Sequence, residues 1–293
     1  MEITDLFIQS IQGTAQWVWD LITMQVDWHL NYFYGLLLIS FGACLLEVFF
    51  PWRKNQALIR RDFWLDGFYM FFNFFIFTTI ISGFYTVISF YLENVGLGIK
   101  SLTLIDLSSM PFVLQLVVFF ILMDFVQWFT HILLHKVPLF WRFHKVHHSV
   151  IEMGFAAHLR YHWMENIFYK PAKTIALMIL GGIEPEMAYV IHFFSVSIGH
   201  LNHANIKLTW GPLKYIFNNP VMHLWHHARQ LPDGRKYGVN FGISLSLWDY
   251  IFGTDYIPEE NGEIELGFEN VEEFPQTFLG QLKSGFRNDK DTM

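Results

Sequence analysis

From Gly67 to Leu92 the chain carries no charged side chain. A run of that length can cross the hydrocarbon core of a bilayer, which needs about 20 apolar residues. Two further runs have comparable reach: Tyr32 to Phe50, and Pro111 to Leu134, whose single charge is Asp124. Inside lipid every backbone N–H and C=O must be satisfied within the segment, so these runs are expected to be helices. Composition agrees, with 15% charged residues against about 25% in a typical soluble domain. The expected fold class is an all-α integral membrane protein, multi-pass, built as a helical transmembrane bundle.

Charge outside the spans predicts their orientation. The segment PWRKNQALIRRD (51–62) carries Arg53, Lys54, Arg60 and Arg61, whereas the acidic N-terminus and the stretch from Glu93 to Ser109 are poor in cations. The positive-inside rule then puts 51–62 in the cytoplasm, and His135, two crossings later, on the same side. Before the first span, Glu2, Asp5, Asp20 and Asp27 come without Lys or Arg, unlike a signal peptide. Leu6, Phe7, Ile11, Trp17, Val18 and Leu21 suggest a helix lying at the membrane interface. The net charge of −7 sits largely in the tail, and no basic patch points to nucleic acid. Cys44 is the sole cysteine, so there is neither a disulfide framework nor a thiolate site.

A fourth apolar stretch, about 166–199, is broken at GGIEPE (181–186). Paired glycines and a proline between acids favour a turn. Two short arms would then form a hairpin that returns the chain to the cytoplasmic side. The organisation expected is 1–110 as an interfacial helix and two spans, 111–257 as a catalytic domain, and 258–293 as an acidic, solvated cytoplasmic tail.

Eight histidines choose the hairpin. His131 and His135 stand at i, i+4; His144, His147 and His148 at i, i+3, i+4; and His223, His226 and His227 repeat that spacing. Each set shares one helix face. Packing gives no reason to gather basic rings, whereas neutral imidazole is the commonest metal ligand. A zinc ion takes four protein ligands, or three with a water, so eight suit two ions. Imidazole serves zinc, copper, iron and nickel alike. HxxHH at 144–148 can meet HxxHH at 223–227 only if the chain returns. Asp124 lies two turns before His131 on the same face, and a lone carboxylate in a span is a functional candidate by default. It is expected to accept an N–H from a ligating imidazole, with Asn240 and Asp249 as candidates for similar parts. His158 and His162 repeat the i, i+4 spacing, and His200 lies three residues before His203. His192, inside an apolar arm, reads as a hydrogen-bonded membrane histidine, and His29 falls on the far side.

These motifs, in this order around a membrane hairpin, resemble the fatty acid hydroxylase/sterol desaturase superfamily of membrane di-iron oxygenases. DFVQWFTHILLH (124–135), RYHWMEN (160–166), NHANIKLTWGPLKYIFNNPVMHLWHH (202–227) and LWDYIFGT (247–254) carry the likeness. It covers about Leu114 to Thr254 and extends to alkylglycerol monooxygenases as well as sterol oxidases. The resemblance implies two Fe ions, O2 as co-substrate, an external electron-donor protein and a lipid substrate, with hydroxylation or desaturation of a C–H bond. It implies metal ligation by His131, His135, His144, His147, His148, His223, His226 and His227, and also by His203 of the HAN motif. His162, His200 and His158 would bind metal or support a ligand. The centre would form a histidine-rich di-metal cap on the cytoplasmic face of a bacterial inner membrane or the endoplasmic reticulum. Zinc can replace iron in purified samples. The rival readings are a membrane zinc hydrolase acting on a lipid, a transmembrane haem carrier, whose histidines would face each other within the bilayer, and an inert scaffold.

Overall fold

The computed structural model describes residues 2–257 and 264–287. Among the described residues, three helical stretches are long and apolar enough to cross a membrane: Tyr32–Phe49, Phe63–Asn94 and Phe112–Lys136. In chain order, α1 (Ile3–Ile22) precedes α2 (Tyr32–Phe49), the first span. Asn31 opens α2, its side chain accepting from the Tyr34 N–H while its amide donates to the Leu21 carbonyl at the end of α1. The second span is α3 (Phe63–Phe71), a π-helical turn (Phe72–Ile76) and α4 (Phe77–Asn94); the third is α5 (Phe112–Lys136). The outward faces of the spans stay apolar, with Leu38, Phe41, Phe84 and Val113 all more than half exposed. Such a surface suits lipid rather than water.

The helix expected at the membrane interface, α1, docks on α4. Phe7 meets Phe84 edge to face at 5.0 Å, and Ser10 bonds Thr86 at 2.8 Å. Gly83 makes the approach possible, because a Cβ there would fall 2.7 Å from the Phe7 ring.

Pro138 ends α5 and occupies the first turn of α6 (Pro138–His148), where a missing N–H costs nothing. After a 3-10 turn (Phe155–Leu159) come α7 (Trp163–Ile179) and α8 (Pro185–His203). They form the expected hairpin, and it is deep. Its tip, β2 (Leu180–Gly181), pairs in parallel with β1 (Ile105–Asp106), which belongs to the loop joining the second and third spans. Gly182 has φ +97°, and a Cβ there would lie 2.5 Å from the Ser108 nitrogen, so the tip closes on that loop only with glycine. Seventeen residues of α7 rise about 25 Å. Each arm therefore runs the depth of the bundle.

The cap is completed by α9 (Pro220–His226), α10 (Leu247–Phe252) and α11 (Phe278–Ser284). The stretch read as a solvated tail behaves otherwise. Pro258, Glu259, Glu260 and Glu263 lie outside the described residues, but Leu266, Val271 and Phe274 are buried. Leu266 packs in one cluster with Val150, Met153, Ala157 and Leu224, and Phe274 joins Tyr69 and Val146 in another. Acidic side chains on the outer surface mask an apolar inner one.

Two of the loop cations are also committed internally. Arg53 donates to the Met153 carbonyl at 2.8 Å, and Arg60 pairs with Asp66. Asp66 and Asp62 in turn hold Arg160, which is 1% exposed. This buried network fastens the start of the second span to the cap.

Candidate metal centre

Four parts of the chain bring imidazoles to one place. The end of α5 supplies His131 and His135, α6 supplies His144, His147 and His148, the end of α8 supplies His203, and α9 with its cap supplies His223, His226 and His227. They sort into two groups. His131, His135, His144, His148 and His226 form one, and His147, His203, His223 and His227 form the other; within each, the ligand nitrogens lie within 4.8 Å of one another. Consecutive residues on a helix point about 100° apart. Each HH doublet is therefore split between the groups, His148 and His226 to the first, His147 and His227 to the second. The two HxxHH motifs meet on one side of the bundle, as the hairpin reading requires.

The spacing fits metal ions. Nε2 atoms are 3.1 Å apart for His131 and His144, 3.1 Å for His203 and His223, 3.2 Å for His223 and His227, and 3.3 Å for His147 and His203. Imidazole nitrogens about 2.0–2.1 Å from a common ion stand roughly 3–3.4 Å apart. The Nε2 atoms of His135, His148 and His226 are buried with no hydrogen-bond partner among the described residues, as ligand lone pairs facing an ion would be. Burial keeps the rings neutral, and it pushes the His147 imidazole down to about 3.

The opposite ring nitrogens set the tautomers. Nδ1–H of His131 donates to the Phe241 carbonyl at 2.7 Å, His147 to Arg160 at 3.0 Å, His203 to Gly199 at 2.8 Å, and His226 to Val239 at 2.8 Å. His144 instead bonds a carboxylate, with Glu165 Oε2 3.0 Å from its Nδ1. Each bond leaves Nε2 with its lone pair turned inward. Five and four nitrogens would leave positions open on an octahedral ion, whereas four would close a tetrahedral one.

The other expected participants stand elsewhere. Asp124 accepts no imidazole N–H. It receives the Ser244 and Leu245 N–H groups and the Trp248 indole, the last at 2.9 Å. Seven residues keep it on the His131 face but about 10 Å lower along the helix, out of reach. Asp249 bonds the Phe241 and Gly242 N–H groups, fixing the peptide that receives His131. Asn240, at φ +53°, bonds the Met222 and Tyr256 backbones and shapes the same loop beside Val239, without joining either group. His158 and His200 pair through Nδ1 atoms 2.9 Å apart, and His200 also meets Ser40. They flank the second group, His158 lying 5.1 Å from His203 between ring centres. His162 caps α7 by accepting the Met164 N–H and donates Nε2–H to the Leu282 carbonyl in α11. Glu165 is the participant that sequence reasoning missed, although RYHWMEN contains it.

Cavities open on two sides. One, of about 240 Å³, is lined by His131, His144 and His147 and runs between α5, α7 and α8 toward Ile183 at the hairpin tip. The other, of about 340 Å³, reaches His135, His148 and His226 from the cap side, past Trp141 and Tyr237.

A helical bundle with three stretches apolar enough to cross a membrane thus closes nine imidazoles into two adjacent groups that could each hold a metal ion, beside a cavity between the helices. Residues 116–254 match the model of the fatty acid hydroxylase family. The chain is 31% identical over 176 residues to the ornithine lipid hydroxylase OlsE of Rhizobium tropici, covering 60% of this chain and 51% of that protein. It is 30% identical over 155 residues to the human alkylglycerol monooxygenase, covering 50% of this chain and 32% of that one. The very-long-chain aldehyde decarbonylase CER1 of Arabidopsis thaliana is 28% identical over 144 residues, 45% of this chain and 21% of that protein. The chain thus spans about half or less of the curated relatives it matches. No solved structure matches it.

Proposed function

We propose that this protein is a membrane-bound di-iron oxygenase that hydroxylates a lipid, with its metal centre on the cytoplasmic face. The observation that carries the reading is the pair of buried nitrogen-ligand groups beside a cavity descending between the helices. The relatives' names, a lipid hydroxylase and a monooxygenase, favour oxygen insertion over desaturation. The overall change would be R–H + O2 + two electrons + two protons → R–OH + H2O. A bound iron pair would supply the reductive activation of dioxygen that side chains cannot. The electrons would come from a separate donor protein.

The chain's own part is positional. His131, His144 and His147 form the end wall of the cavity, so the lipid carbon nearest them is the one oxidised. Backbone carbonyls and Glu165 hold the imidazoles in one tautomer. Burial of the centre keeps bulk water away from it.

Cells expressing the chain under 18O2 provide the test. Expected is a lipid product carrying one 18O atom from the gas, absent from cells expressing His147→Ala, whose protein still inserts. Label arriving from H2(18)O instead would favour the zinc hydrolase and overturn the oxygenase reading.

A further inference from the structure

About one turn below His131 the lipid-side cavity changes character. Its wall there includes Gln127, Tyr169, Lys173, His192 and Ser195, between the histidines above and Leu177, Ile183 and Ile191 below. Lys173 lies midway along α7, and its Nζ donates to Gln127 Oε1 at 2.5 Å. It also sits 5.8 Å from the centre of the Tyr169 ring. No carboxylate pairs with it among the described residues. The nearby Asp124 is committed to the Ser244 and Leu245 backbone and to Trp248. An ammonium at mid-depth of a membrane bundle, with one neutral acceptor for three donors, is costly to maintain and marks a site that binds something.

Resting on the oxygenase reading, we propose that Lys173, with Gln127 and Tyr169, receives an anionic group of the lipid, a carboxylate or a phosphate. Lys173 is then a specificity determinant. Gln127 precedes His131 by four residues, a rise of about 6 Å. A lipid anchored there presents a carbon only a few bonds from its anion to the imidazoles, while its apolar remainder lies along Leu177, Ile183 and Ile191. The anchor selects against lipids that are neutral throughout and against attack in the middle of a long chain.

Equilibrium binding to the full-length protein in nanodiscs tests this without turnover. The probes are hexadecanoate, hexadecyl phosphate and hexadecanol, with iron content measured on the same samples. Expected is binding of at least one anion about tenfold to a hundredfold tighter than hexadecanol. That preference should be lost in Lys173→Met and largely kept in Lys173→Arg. Whichever anion is favoured identifies the source of the charge. Equal binding of all three probes by the parent protein overturns the proposal, whatever the variants do. So does a Lys173→Met protein that keeps the preference. Discrimination by protein that takes up no iron even after anaerobic reloading would leave the anchor standing and remove the oxygenase reading; iron without discrimination would do the reverse.

Discussion

At the scale of single residues the centre depends on atoms that never touch an ion. Among the described residues, Glu165 is the one carboxylate bonded to any of the nine histidines. Its Oε2 meets His144 Nδ1 at 3.0 Å, while its Oε1 is buried without a partner among the described residues. Glu165→Gln keeps the shape and removes the carboxylate that receives that imidazole. Iron affinity, read by competition with a chelator, is expected to fall about tenfold to a hundredfold, with little change in melting temperature. Unchanged affinity would reduce Glu165 to a packing residue. The eight motif histidines were legible in the sequence because i, i+3, i+4 spacing encodes a shared face. Glu165 was not, because an acid in the first turn of a helix is ordinary for its favourable dipole alone. Asp124 was misread for the converse reason: spacing reports the face a residue shares, and says less about whether its height allows contact.

At the scale of elements, the ligand helices are held by segments that carry no ligand. The loop from Val239 to Gly242 offers two carbonyls to His226 and His131, and Asp249 pins its backbone. His162 performs a comparable service for α7 and α11 at once. Its imidazole is pushed down to about 4 by burial, while the bond to Leu282 pulls the other way. A free histidine titrates near 6.5. The undocked state therefore binds the proton more readily than the docked one. Stability from this contact is complete above about pH 6.5 and is lost as pH falls through about 4. Protonation of Nδ1 also removes the acceptor for the Met164 N–H. Hydrogen exchange across residues 278–287 is expected to accelerate over that window, and His162→Gln should flatten the response. Exchange there that is indifferent to pH, once its intrinsic chemical dependence is removed, would show that the contact does not hold α11. The docking of this segment was hidden in the sequence, because Glu265, Glu269, Glu272 and Glu273 dominate its composition while Leu266, Val271 and Phe274 follow no helical period.

At the scale of the whole molecule, the hairpin decides the topology. Three runs were readable as spans because each is apolar all round and long enough. The arms α7 and α8 were underestimated because Glu165, Lys170 and Lys173 interrupt α7, and those side chains face protein rather than lipid. Bringing 144–148 and 223–227 together requires the cap on one side and the loop 95–111 with the hairpin tip on the other. Cys44 is the only cysteine, so a Cys44→Ser background permits single-cysteine mapping. Lys54→Cys and Lys236→Cys are expected to react with a membrane-impermeant maleimide only after the cytoplasmic side is opened. Glu93→Cys should react in intact cells or sealed vesicles of the opposite sense. Labelling of Lys54→Cys and Lys236→Cys from different sides would break the shared cap.

The central claim is that imidazoles from four helices hold a pair of irons. Iron quantified per chain in protein purified without chelator and reloaded anaerobically, with 57Fe Mössbauer spectra of the same samples, tests it most directly. Two irons per chain are expected in the parent protein, falling to about one in His147→Ala, which removes a nitrogen from the four-membered group alone. A single iron in the fully loaded parent, or two retained in His147→Ala with unchanged spectra, would contradict the account.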